Sequence, residues 1–89
     1  MRIEANVSYN GLSIKRYVVF TGDREGYLED EAGNKTCLFS FEAFCDTTMK
    51  SLKDGNTYVA ADLPISHPMF AVACAIRGAY TKRRMQEAA

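Results

Sequence analysis

From Ile3 onward apolar and polar residues take turns: Ile3, Ala5, Val7 and Tyr9 alternate with Arg2, Glu4, Asn6 and Ser8. A period of two marks a strand with one buried face, because successive side chains leave a pleated backbone on opposite sides. The alternation resumes after Asn10-Gly11, a pair suited to the two positive-φ positions of a two-residue type I′ turn. That turn predicts a hairpin with Tyr9 opposite Leu12, Val7 opposite Ile14, Ala5 opposite Arg16 and Ile3 opposite Val18. Leu12, Ile14, Val18 and Phe20 then share the core side with the apolar residues of the first strand, while Ser13, Lys15 and Tyr17 face outward with Ser8, Asn6 and Glu4.

Only Arg16 breaks the pattern. Ala5 opposite leaves room for its stem to lie on the sheet while the guanidinium reaches an edge, a carboxylate or a partner. A bulge at Lys15-Arg16 would instead turn Tyr17 and Val19 inward.

Two glycines within residues 21–26 mark a turn, and the following stretch reads as a second hairpin closing near Ala32-Gly33-Asn34. A four-residue loop over 31–34 sets Asp30 opposite Lys35 and Leu28 opposite Cys37; a tighter Gly33-Asn34 turn sets Leu28 beside Phe39. Beyond Ser40, a candidate N-cap, Phe41, Phe44, Cys45, Thr48 and Leu52 recur at helical spacing until Asp54-Gly55. Residues 57–64 hold one more short strand. Pro68, with Ser66 or His67 as cap, opens a final helix whose apolar stripe is Met69, Val72, Ala73, Ile76 and Tyr80. The predicted architecture is α+β, an antiparallel sheet of four to five strands (two N-terminal hairpins) covered on one face by two helices, in the order β-β-β-β-α-β-α.

The 89 residues suffice for one domain over 1–89. Eleven basic residues balance eleven acidic ones, so no global field draws the chain to nucleic acid or an anionic membrane. The longest apolar run, residues 69–76, is far short of the ~20 that cross a bilayer as a helix, and the alternating N-terminus has no apolar signal region. Three cysteines are an odd number, unlike the even framework of a small secreted domain. The expectation is a cytoplasmic protein with reduced thiols.

Candidate chemistry is sparse. Cys37, Cys45, His67 and Cys74 fit no compact zinc-knuckle spacing, and His67 has an adequate role as a helix cap. No glycine-rich phosphate cradle is present. The expectation is therefore no catalysis, no metal and no cofactor.

Two charged clusters remain. Asp23, Glu25, Glu29, Asp30 and Glu31 fall within nine positions, while Arg77, Lys82, Arg83 and Arg84 crowd the end of the final helix. The expected function is a protein-binding module that occupies a surface of a larger, nucleic-acid-handling protein. It would act as an inhibitor or adaptor of the kind phages and mobile elements encode, through Arg16, Tyr17 and the five acidic residues. The alternative is weak nucleic-acid binding through Lys15, Arg77, Lys82, Arg83 and Arg84, helped by Arg16 and Lys35. An unpaired edge on the first strand or the second hairpin would permit a homodimer.

Overall fold

A computed structural model describes residues 1–43 and 46–88 of the chain. Asn10 (φ 52°) and Gly11 (φ 76°) adopt the left-handed conformations of a type I′ turn, joining β1 (Arg2–Tyr9) to β2 (Leu12–Phe20). Their pairing is the one this turn imposes, Tyr9 to Leu12 through Ala5 to Arg16 and Ile3 to Val18, in unbroken register. β3 (Glu25–Glu29) lies close against β2. A Cβ at Gly26 would collide with the carbonyl oxygen of Val19, so only glycine allows this approach. β4 (Lys35–Ser40) returns with Leu28 opposite Cys37, and a bulge at Leu28/Glu29 brings Lys35 to Glu29 rather than to Asp30. Asp30 shapes the intervening turn by accepting the N–H groups of Ala32 (3.0 Å) and Asn34 (2.9 Å).

After Ser40 the structure departs from expectation. β5 (Thr48–Ser51) and β6 (Thr57–Val59) extend a six-stranded antiparallel sheet in the order β1-β2-β3-β4-β5-β6. Among the described residues α1 (Pro68–Ala88) is the single α-helix. The four to five strands and two helices read from the sequence are thus corrected, within the same α+β class. Burial gives the reason. Cys37, Phe39 and Phe41 are buried at two-residue intervals, so the strand period runs on into the stretch assigned to a helix. Ser40 pairs with Glu25 and Thr48 instead of capping. Asp46 then folds the chain back by accepting the N–H groups of Glu42 (2.9 Å) and Ala43 (3.0 Å), local bonds that compete with a helix. The helical stripe also chose the wrong side chains, since Leu52 is 43% exposed whereas Met49, inward between Phe39 and Tyr58, is fully buried. Phe44 and Cys45 of that stripe lie outside the described residues.

Laid flat, six strands ~4.8 Å apart would span about 24 Å. Yet α1, a cylinder roughly 10–12 Å across, packs on β1 and also touches the 3-10 turn Ala60–Asp62 that follows β6. At ~1.5 Å per residue its 21 residues are long enough to lie across the inner face from one edge of the sheet to the other. His67 Nδ1 accepts the N–H of Met69 at 3.1 Å and caps α1, with Pro68 in the first turn. Small residues, Ala73 and Ala79 beside Ile76, form the buried stripe that lets the helix settle onto the sheet. Near its C-terminal end Tyr80 joins Phe20, Phe39 and Phe41 in an aromatic cluster with ring centroids 5.0–6.3 Å apart. Arg83 Nη1 fastens this end by donating to the carbonyls of Gly22 (2.8 Å) and Asp23 (3.0 Å). The other end is less covered: Leu12 and Ile14 share the core side but are 67% and 44% exposed. β1 and β6 are the sheet edges, so the second hairpin is interior. No helix among the described residues is long and apolar enough to cross a membrane.

Candidate partner-binding face

The alternation that buries one side of each strand turns the other outward. Register across the sheet aligns one residue per strand in a row, Arg2, Val19, Tyr27, Leu38, Lys50 and Thr57. Glu4, Tyr17 and Glu29 form the row beside it. The helix lies on the opposite side, so Tyr17, Val19 and Tyr27 are half-buried only by their neighbours on the face, and Leu38 is 39% exposed.

Charged groups brace these rings. The Arg2 guanidinium stands 3.6 Å from the centroid of Tyr17, and its Nε donates to Glu29 Oε1. Lys15 Nζ sits 3.4 Å from Glu4, whose carboxylate raises the lysine pKa. The Lys35 ammonium lies 4.5 Å from the centroid of Tyr27. Long side chains are thus held in place before any partner arrives, which reduces an ordering cost of ~0.5–1.5 kcal/mol per side chain on binding.

Of the residues singled out from sequence, Tyr17 is on this face and Arg16, one position earlier, is on the inner one opposite Ala5. The five acidic residues do not gather. Asp23 stands in the turn before β3 and Glu25 at its first residue, whereas Asp30 and Glu31 stand at the turn after it. At ~3.3 Å per residue the two pairs are roughly 16 Å apart, about twice the ~8 Å Debye length at physiological salt. Three also have partners: Glu29 pairs with Arg2, Asp23 lies 3.4 Å from Arg24, and Asp30 holds its own turn. Those turn N–H groups, Asn34 foremost, lower the Asp30 pKa.

Lys82 and Arg83 of α1 are similarly engaged. Lys82 Nζ donates to the Glu4 carbonyl at 3.3 Å, and Arg83 holds Gly22 and Asp23 as described; Arg77 is half-buried and Arg84 exposed. Cys37 is buried, and desolvation pushes its thiol up to about 11, so it is no thiolate at neutral pH. Cys74 is exposed on α1, His67 is occupied as a cap, and Cys45 lies outside the described residues. No group of three His, Cys, Asp or Glu side chains poised to hold a metal occurs among the described residues.

Arg2, Val19, Tyr27, Leu38 and Lys50 were not singled out from sequence. Arg2 and Val19 follow from the first-hairpin register, while Tyr27 needed the pairing of β2 with β3, and Leu38 needed the second hairpin, which two loop lengths left open. No family model, curated protein or solved structure matches the chain.

Proposed function

We propose that the chain is a non-enzymatic protein-binding module that acts by occupying a surface of a larger protein. One observation carries this reading: Tyr17, Val19, Tyr27 and Leu38 stand side by side on the sheet face turned away from the helix. A free antiparallel sheet face is ordinarily polar, and Tyr and Arg supply much of the binding energy at protein interfaces because they bury large areas with few rotors. Glu4 and Glu29 are matched by Lys15 and Arg2, whereas Lys35 and Lys50 add positive charge. The partner that fits has an apolar patch edged by carboxylates. Occupation of this kind is how an inhibitor or adaptor of phage or mobile-element type would act.

Nucleic acid is a poorer fit. Arg2 and Lys35 already cover the rings of Tyr17 and Tyr27, and Glu4 and Glu29 oppose phosphates on the same face. The test is a photo-crosslinking amino acid placed at Leu38 and, as control, at Arg84 on the exposed part of α1. Protein adducts are expected from position 38 and not from 84, and their loss is expected when Tyr17 and Tyr27 are changed to alanine. Equal adduct yields from both positions would contradict the proposal.

A further inference from the structure

The inner face is not filled along its whole length. Where α1 begins, a cavity of about 450 Å³ remains under the first hairpin, within the ~300–1,000 Å³ of ordinary small-ligand sites. Val7, Ile14, Leu28, Met69 and Val72 make its walls apolar, with the hydroxyl residues Thr36 and Ser51 among them. Arg16, Lys35 and Lys53 also line it, the Lys35 ammonium standing 4.5 Å from the Tyr27 ring centroid. No Asp or Glu is among the described lining residues.

The place of an arginine on an otherwise apolar strand face now has a chemical use. Arg16 Nη1 donates to the Lys15 carbonyl at 3.0 Å, which engages one of the five N–H donors of a guanidinium. The nearest acid along the neighbouring strand, Asp30, accepts the N–H groups of Ala32 and Asn34 and also feels the Arg16 charge, which helps to lower its pKa, but it is not among the residues that line the chamber. A largely apolar chamber with cationic side chains leaves most of a sugar or a nucleobase without polar partners and disfavours cations by charge. It suits an occupant with a greasy body and one negative head.

We infer that this cavity binds an amphiphilic anion of the medium-chain fatty-acid class, its tail against Ile14, Leu28 and Val72 and its carboxylate between Arg16 and Lys53. The site lies on the opposite side of the sheet from the partner-binding face and is independent of that proposal. Charge-assisted hydrogen bonds to the head account for selectivity of about tenfold or more over an uncharged analogue.

The test titrates the full isotope-labelled chain with decanoate, decanol and decyltrimethylammonium, following methyl resonances. Expected are saturable shifts at Ile14, Leu28 and Val72 with decanoate, affinity about tenfold lower for decanol, and none for the ammonium. Lys53→Gln, a change at an exposed site, and Arg16→Gln are each expected to weaken decanoate severalfold and to leave decanol unchanged. Val72→Phe fills the chamber and is expected to abolish decanoate shifts with the fold retained. Equal affinity for decanoate and decanol, shifts centred away from these methyls, or no saturation would overturn the inference.

Discussion

On the inner face Val18, Leu28 and Met49 are between 0% and 1% exposed, while one residue along the same strands Val19, Tyr27 and Lys50 stand on a face no helix covers. The inner side chains are enclosed by α1 and by one another, and removing them would leave holes in a packed interior. The outer apolar side chains have only their sheet neighbours and a few bracing cations. Similar residue types therefore have different surroundings: inside they hold the sheet against the helix, and outside they stay in reach of solvent.

Substitution can break or sharpen this contrast. Phe39→Ala empties the middle of the aromatic cluster and is expected to cost ~3–5 kcal/mol, a fall in melting temperature of at least about 12 °C. Its outward neighbour Leu38→Ala is expected to cost less than about 1 kcal/mol, so similar losses by thermal denaturation would erase the distinction. Gly26→Ala drives a methyl into the backbone of β2, with an expected cost of ~1–3 kcal/mol; wild-type stability would refute the tight approach of β3. The buried thiol supplies a smaller, pH-dependent effect. Because folding raises the Cys37 pKa from 9.0 to about 11, the unfolded chain loses the proton first. Stability should decline between these two values more steeply than in Cys37→Ala, as measured by denaturant titration at several pH values. The same burial makes exposed Cys74 react with iodoacetamide before Cys37 in peptide mapping. Smallest of all, Lys15→Ala removes an exposed ion pair with Glu4 and should leave the melting temperature unchanged within error.

Much of this contrast was legible in the residues, and its gaps have physical causes. Asn10-Gly11 and strict alternation were enough for the register of β1 and β2, because a two-residue turn admits no other pairing. The final helix was legible through its cap and proline. The stretch from Phe41 to Leu52 was not, since Phe41 and Thr48 satisfy helical spacing by coincidence, while Phe41 is buried by continuing the alternation of β4 and Thr48 is only half-buried in β5. Tyr17 could be placed outward from one hairpin alone. Tyr27 and Leu38 could not, because the alignment of Tyr27 with Val19 depends on the turn between β2 and β3, and that of Leu38 with Tyr27 on how Asp30 sets the next turn. Arg16 was conspicuous from the start, but the space above it exists only because the first hairpin reaches beyond the helix.

The most direct measurement follows the double variant Tyr17→Ala, Tyr27→Ala by melting temperature and by adduct formation from the crosslinker at position 38. The expected result is a smaller loss of stability than Phe39→Ala causes alone, with the protein adduct gone. A full yield of the same adduct from this variant would contradict the account, as would a collapse of the fold matching that of Phe39→Ala.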